Sequence, residues 1–175
     1  MARIPFPSSW RCIVAVPDSA PSISGTTEEA LLAQLPAPPE RDVERVAHRV
    51  LMALLPSLAD ADLATFGAAL SAIQAITGRW FAAVQGGPFA PGPTEELVHR
   101  MTEWGAFGVG QSSWGPAVYG IVDGESSGLQ LADRVRAALS VAGTHGSVYA
   151  GPFRSDGARA WRALDPSTTP RSALT

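Results

Sequence analysis

The stretch WGAFGVGQSSWGPAVYGIVDG, Trp104–Gly124, decides the fold of this chain. Two apolar runs flank the segment GVGQSSWGP, and such runs joined by glycine, serine and proline predict two strands with a turn between them. Trp114 stands in that turn, where exposure to solvent would forfeit roughly 1.5–3 kcal/mol of burial free energy. We therefore expect either another element or a ligand to cover Trp114.

Two interpretations of the turn remain open. Gln111, Ser112 and Ser113 place short polar side chains beside backbone N–H groups, a combination that can hold an anion. Gly115 adds the freedom to adopt positive φ or to let a ligand approach the backbone. Glycine and serine are also common in ordinary turns, so the local residues alone favour a plain hairpin.

The segment VQGGPF at 84–89 presents the same choice. Gly86 is typical of a helix C-cap. The amide of Gln85, immediately before it, is a candidate donor to a phosphate or carboxylate group. We take both residues as weaker candidates for substrate binding than those in the turn.

The elements before the turn are one strand and several helices. WRCIVAVP, Trp10–Pro17, predicts a buried strand, and Thr26 or Thr27 is expected to cap a short helix after it. A helix over 42–58 is predicted because its apolar residues recur every three or four positions and so share one face. These residues are Val43, Val46, Ala47, Val50, Leu51, Leu54, Leu55 and Leu58.

Pro56 falls inside that pattern, so we expect a kink or the last helical turn there. A second amphipathic helix over 63–84 comes after a short connection, which predicts an antiparallel helical hairpin. Thr94 is expected to start the next helix and Gly105 to end it, with Leu97, Met101 and Trp104 on one face.

After the two central strands, a helix over 128–142 is predicted, with Leu131, Val135 and Leu139 facing inward and Gly143 at its end. GSVYAGPF then predicts a final strand. The order of elements predicts an α+β, ferredoxin-like (split βαβ) fold with a helical hairpin inserted in its first crossover. We expect this domain to span 1–163, with 164–175 as a flexible tail.

Composition narrows the function classes. The chain has 175 residues, of which 46% are hydrophobic and 17% charged, as in one globular domain. A net charge of −3 disfavours nucleic acid as a partner, and we find no apolar run long enough for a membrane span or a signal peptide. A soluble, cytoplasmic protein is expected.

The sequence offers no catalytic or metal-binding constellation. Cys12 is the only cysteine, which excludes disulfides within the chain and multi-cysteine zinc sites, and we interpret it as an inert core residue. His48, His99 and His145 are expected on the surface. Ser112 and Ser113 have no evident general base, so we assign no catalytic residue and no metal ligand.

Several segments resemble a known family. These are GAFGVGQSSWGPAVYGIV, RIPFPSSWRCIVAVP, SGTTEEALLAQLP, VLMALLPSLADADLATFGAALSAIQ and FAAVQGGPF. Together they resemble the C-terminal half of β-ribofuranosylaminobenzene 5′-phosphate synthase, in the GHMP kinase superfamily of small-molecule kinases. The resemblance covers the chain to about residue 153, and GVGQSSWGP is similar to the third glycine-rich motif of that superfamily.

The resemblance implies a GHMP C-terminal domain of ferredoxin-like fold and a pentosyl transferase reaction. In that reaction 4-aminobenzoate or 4-hydroxybenzoate condenses with phosphoribosyl pyrophosphate, with Mg²⁺, and CO2 and pyrophosphate are released during tetrahydromethanopterin biosynthesis for one-carbon metabolism. It also implies substrate-binding roles for residues in the turn and, more weakly, in the 84–89 segment. These residues are Gln111, Ser112, Ser113, Trp114, Gly115, Gln85 and Gly86.

The same family carries an N-terminal domain with a glycine-rich phosphate loop, and no such loop occurs in these 175 residues. We therefore expect an N-terminal GHMP domain or subunit as partner, and a homo-oligomer, such as a dimer, from the surface that such a partner would cover. Two other functions stay open: a non-catalytic small-ligand-binding or regulatory module, and a fragment of a GHMP-type kinase.

Overall fold

A computed structural model describes residues 3–18 and 25–156 of the chain. The predicted domain end at 163 and the tail 164–175 lie outside the described residues. Within the described ranges, no helix is both long and apolar enough to cross a membrane.

In the part of the chain that the structure describes, four antiparallel strands form one sheet. They are β1 (Trp10–Pro17), β2 (Phe107–Gln111), β3 (Val118–Asp123) and β4 (Gly146–Pro152), in the order β2-β3-β1-β4. The antiparallel register pairs Val14 of β1 with Tyr119 on one side and with Tyr149 on the other. This order and pairing are those of the predicted split βαβ arrangement.

Within residues 3–18 and 25–156, six α-helices connect the strands. They are α1 (Thr26–Leu32), α2 (Glu40–Arg49), α3 (Leu55–Ala59), α4 (Leu63–Gln85), α5 (Pro93–Glu103) and α6 (Glu125–Val141). The first five lie between β1 and β2, so the inserted helical hairpin is confirmed. The last helix begins three residues earlier than the predicted 128.

Helices α5 and α6 cover one face of the sheet. Alternate residues of β1 and β3, such as Ile13 and Val118, meet Met101 of α5 and Val135 of α6 in a fully buried core. Period-two alternation in the strands and three-to-four spacing in the helices produce this core. The predicted inward positions Leu97, Leu131 and Leu139 are also buried.

The opposite face of the sheet is covered by α4 above β2. The start of α4 and the end of α3 form a second apolar cluster around Trp10, Phe66 and Ile121. Farther along α4, Gly67 lies so close to β2 that an added Cβ would stand 2.6 Å from Cβ of Phe107. Close approach of this kind lets α4 run along β2 toward the β2–β3 turn.

The predicted single apolar face over 42–58 is wrong. Between α2 and α3 the chain forms a π-helical turn, Val50–Leu54, and this wider turn rotates α3 relative to α2. Val43 and Leu51 are therefore 52% and 62% exposed, whereas Leu58 is buried. Pro56 sits in the first turn of α3, where a missing N–H is tolerated, so the helix does not end there.

Two predicted caps are also wrong. Gly25, not Thr26 or Thr27, is the N-cap of α1, and Gly92 precedes Pro93 at the start of α5. Thr94 is instead fully buried, and its hydroxyl donates to the carbonyl of Pro116 at 3.4 Å. A threonine that anchors the β2–β3 turn from α5 has the same sequence pattern as a capping threonine, so the pattern alone does not separate the two roles.

Candidate functional site

The β2–β3 turn is a hairpin closed by backbone hydrogen bonds. The N–H of Ser112 donates to the carbonyl of Ala117, and the N–H of Gly115 donates to the carbonyl of Ser112, both at 2.9 Å. Ser113 has φ of +49° and Gly115 has φ of +77°, so the chain bends sharply between them. The predicted hairpin is therefore confirmed, and its ligand-binding role stays a prediction.

Trp114 is covered by the chain itself. Its side chain is 3% exposed, and the ring of Phe81 on α4 meets it edge-on with centroids 4.7 Å apart. We expected either another element or a ligand to cover Trp114, and the structure shows that another element, α4, covers it. Among the described residues, the indole Nε1 of Trp114 is the one buried side-chain polar atom without a hydrogen-bond partner.

The amide of Gln111 ties the turn to the segment after α4. Its Oε1 accepts a hydrogen bond from the backbone N–H of Ala90 at 2.7 Å. Its Nε2 donates to the carbonyl of Ser113 at 2.8 Å and to Oε1 of Gln85 at 3.2 Å. Gln111 is buried, so these bonds fix the turn against its neighbour rather than leaving the amide in solvent.

Gln85 and Gly86 stand at the end of α4. Gly86 is the C-cap with φ of +89°, which confirms the predicted cap, and the chain then reverses toward α5. Nε2 of Gln85 donates to the carbonyl of Gly87 at 2.8 Å. Because Gln85 also accepts from Gln111, both glutamine amides already have partners within the chain.

A small cleft lies between the turn and α4. Its volume is about 130 Å³, and it is lined by Gln74, Thr77, Gly78, Phe81, Gln85, Pro88, Gln111 and Ser113. The structure thus brings together three of the predicted substrate-binding residues, Gln85, Gln111 and Ser113. The other four, Ser112, Trp114, Gly115 and Gly86, do not line it and belong to the turn and to the end of α4.

Sequence reasoning missed the contribution of α4 to this cleft. Gln74, Thr77, Phe81 and Gln85 recur at spacings of three and four, so they share one stripe of the helix. Three members of that stripe, Gln74, Thr77 and Gln85, are polar and recur on one face of an apolar-rich helix, and this recurrence is the signal that could have found them. Gly78 belongs to the same stripe, where an added Cβ would lie 2.6 Å from the carbonyl oxygen of Pro88.

The lining of the cleft carries no formal charge, because none of its lining side chains is ionisable. At its edge, Nε2 of Gln74 donates to the hydroxyl of Tyr119 at 2.6 Å. Burial raises the pKa of Tyr119, and the Gln74 bond partly offsets that rise. The phenol is therefore a neutral hydrogen-bonding group at neutral pH.

The cleft is smaller than a complete small-molecule site, which typically encloses roughly 300–1,000 Å³. Larger depressions occur along α2, of about 430 Å³, and between the segment that follows α5, the end of β3 and α6, of about 340 Å³. The first is lined mostly by exposed residues of one helical segment, and neither includes any predicted substrate-binding residue. The cleft is the concave surface that the predicted residues share, and its size suits one wall of a larger site.

The metal ion that the resemblance implies finds no ligand set in this part of the protein. Among the residues that the structure describes, no three His, Cys, Asp or Glu side chains lie close enough together to hold a metal ion. Amides and hydroxyls without a carboxylate are also a poor donor set for Mg²⁺. We therefore derive no chemical step through a metal bound by these residues.

The structure is that of an α+β domain of ferredoxin-like type with a small uncharged cleft beside its β2–β3 turn. The chain belongs to the GHMP kinase C-terminal family, because the model described as "GHMP kinases C terminal" matches residues 54–141. A solved structure with the same fold is homoserine kinase from Cytophaga hutchinsonii, with a TM-score of 0.57 and 13% identity. The match covers 85% of this chain and 43% of that one.

Two curated relatives are each named β-ribofuranosylphenol 5′-phosphate synthase. The protein from Methanothermobacter thermautotrophicus is 35% identical over 123 residues, covering 70% of this chain and 36% of the relative. The protein from Archaeoglobus fulgidus is 33% identical over 130 residues, covering 74% and 38%. The chain therefore spans less than two fifths of the length of the curated relatives it matches.

Proposed function

We propose that this chain is the C-terminal domain or subunit of a β-ribofuranosylaminobenzene 5′-phosphate synthase-like enzyme. The observation that carries the proposal is the 35% identity, over 123 residues, to a protein named for synthesis of a ribofuranosylphenol 5′-phosphate. The uncharged cleft beside the GVGQSSWGP turn supports it, because an aromatic wall with amide and hydroxyl groups suits a substituted benzoate.

In the proposed reaction the aromatic acid is 4-aminobenzoate or 4-hydroxybenzoate, and the ribosyl donor is phosphoribosyl pyrophosphate. The bond between ribose C1 and pyrophosphate breaks, and pyrophosphate leaves with the bonding electron pair. The ring carbon that bears the carboxylate bonds to C1, and CO2 then departs and returns its electron pair to the ring. The product would enter tetrahydromethanopterin biosynthesis.

Residues of this chain would act by position and by dipoles. Phe81 and the stripe of α4 would set the plane of the aromatic ring, while Gln85 and Ser113 would orient its carboxylate. Donors held in place by the Gln111 network need not reorganise as charge develops at the ribosyl centre. The phosphate groups carry charge that this cleft does not neutralise, so their main binding site would lie on an N-terminal polypeptide with a glycine-rich loop.

Reconstitution tests the proposal. The chain alone is expected to be inactive, and to release pyrophosphate and CO2 from the two substrates when it is mixed with the N-terminal polypeptide of the same source. Coupled detection of pyrophosphate and trapping of labelled CO2 measure the reaction. Absence of both products from the mixed sample would count against the proposed reaction.

Ser113 and its neighbour Ser112 provide a matched pair for the cleft. Ser113→Gly removes a hydroxyl that lines the cleft and suits the positive φ, so we expect a fall in activity of about tenfold, mainly through KM for the aromatic acid. Ser112→Ala removes an exposed hydroxyl outside the cleft and should leave activity within about twofold. Equal effects of the two substitutions on activity would mean that the Ser113 side of the cleft has no role in the reaction.

A non-catalytic binding module is the second candidate. It is favoured by the glutamine network, because amides already bonded within the chain suit a fixed binding wall as well as a catalytic one. Calorimetry with 4-hydroxybenzoate would then show binding to the chain alone without turnover in any mixture. A kinase fragment gains little support, since 13% identity to homoserine kinase shows the fold alone.

A further inference from the structure

The sheet face that α4 leaves open carries an apolar row across three strands. Val14 of β1 stands directly between Tyr119 of β3 and Tyr149 of β4 in the antiparallel register, so the three side chains project from the same face. Tyr149 is 63% exposed, while Val14 is half-buried. Cys12, two residues along β1, lies on this face as well. We refer to Cys12, Val14, Tyr119 and Tyr149 as the open row.

The open row is continuous with the cleft. Tyr119 accepts the 2.6 Å hydrogen bond from Gln74, and Gln74 is a lining residue of the cleft. The row therefore starts at the rim of the candidate site and extends away from α4 to the edge strand β4. A polypeptide bound to the open row would lie beside the cleft and could supply the wall that the cleft lacks.

The comparisons indicate the size of such a polypeptide. This chain matches 36% and 38% of the two synthase relatives and 43% of the homoserine kinase. More than half of each of those proteins is thus additional polypeptide. The other face of the sheet has no room for such a polypeptide, because α5 and α6 already cover that face.

We propose that the open row is the docking surface for the N-terminal polypeptide that completes the synthase-like enzyme. The inference rests on the proposed function for the identity of that partner. The partner surface it requires is uncharged and rich in aliphatic or aromatic side chains, with polar groups only where the two tyrosine hydroxyls need hydrogen bonds. The exposed Val43 and Leu51 of the α2 region are a weaker choice, because charged residues such as Arg45 and Arg49 flank them and neither residue lines the cleft.

Cys12 provides a direct test, since it is the only cysteine of the chain. The full chain is treated with N-ethylmaleimide at one pH, with and without the N-terminal polypeptide. We expect the polypeptide to slow alkylation of Cys12 by about tenfold or more, as for a residue in a desolvated interface. Alkylation at an unchanged rate in a complex that demonstrably forms would overturn the inference.

A pair of charge substitutions makes the same test without the thiol. Tyr149→Glu places a charge in the open row and should weaken binding of the polypeptide by about tenfold or more. Leu129→Glu is the matched control, because Leu129 is 55% exposed but lies on α6, and its affinity should stay within about twofold. Equal affinities for the two variants would also overturn the inference.

The remaining outcomes are separated by the same measurements. Protection of Cys12 that grows with the concentration of the chain alone would assign the row to a second copy. Protection that is independent of concentration and of partner would assign it to other residues of this chain. Either result rejects the proposal. A complex that protects Cys12 but releases no pyrophosphate rejects the proposed reaction and leaves the docking surface standing.

Discussion

Gln111 is the residue on which the geometry of the candidate site depends most. Its amide makes three hydrogen bonds to Ala90, Ser113 and Gln85, and it is buried where water cannot replace them. Each such bond contributes on the order of 1 kcal/mol, and loss of the acceptor leaves the N–H of Ala90 unpaired. The sequence singled out this residue as a ligand contact, whereas the structure shows its amide holding two segments together.

Replacing Gln111 by leucine should therefore act on stability before it acts on binding. We expect Gln111→Leu to lower the free energy of unfolding by about 2–3 kcal/mol, measured by urea denaturation. Gln130→Leu, on the exposed side of α6, should change it by less than about 0.5 kcal/mol. An unchanged urea midpoint for Gln111→Leu would mean that the hydrogen bonds of Gln111 do not contribute to the free energy of unfolding.

Tyr119 links stability to pH. Burial raises its pKa above the ordinary value, so as pH rises past about 10 the unfolded chain ionises first and folding is disfavoured. In a Cys12→Ser background, which removes the other half-buried acid whose pKa is raised by burial, stability should fall above pH 10 by up to about 1.4 kcal/mol per pH unit.

The Tyr119→Phe variant of that background should show a flatter decline, measured as urea midpoints between about pH 8 and pH 11. Leu129→Ala, at an exposed position of α6, is the control and should leave the slope unchanged. Identical slopes for all three proteins would refute the role given to burial of Tyr119.

At the scale of elements, the π-helical turn decides which leucines belong to the core. Leu58→Ala should cost about 2–5 kcal/mol of unfolding free energy, as expected for a buried leucine. Leu51→Ala, at the exposed position, should cost less than about 0.5 kcal/mol. Chemical denaturation of both variants checks this, and comparable losses would restore the single apolar face that the sequence predicts.

The same segment shows why some elements are predictable and others are not. β1 and α4 can be predicted from local sequence patterns, because each buries a face that its own residues define. The π turn cannot, since a change from one hydrogen-bond spacing to another leaves the apolar pattern almost intact. Buried Thr94 is a similar case, because its partner Pro116 is 22 residues away and no local pattern records that contact.

Prediction of the candidate site is limited for the same physical reason. The turn residues are recognisable from their composition, and Gln111 and Ser113 do line the cleft. The opposite wall comes from α4, and tertiary contacts such as the Gln111–Gln85 hydrogen bond and the packing of Phe81 against Trp114 hold the two walls together. Contacts between segments so far apart in sequence depend on the tertiary fold.

At the scale of the whole molecule, partner binding should be visible as added stability. A polypeptide that binds only the folded chain stabilises it by about 2.7 kcal/mol at a free concentration 100 times Kd. For a domain of this size that corresponds to a rise in Tm of roughly 5–10 °C, measured by scanning calorimetry. Addition of an unrelated protein at the same concentration is the control, and an equal rise with both would remove the claim of a specific partner.

The Gln111 amide also bears on how the site comes into being. Two of its three partners lie 21 and 26 residues away along the chain, on segments that meet only after α4 has packed on the sheet. The pocket wall is consequently absent from any half-assembled species, and no short peptide copied from the turn could reproduce it. Acquisition of the binding surface and cooperative folding are one event, so conditions that loosen the sheet should abolish recognition at the same midpoint at which they unfold the chain.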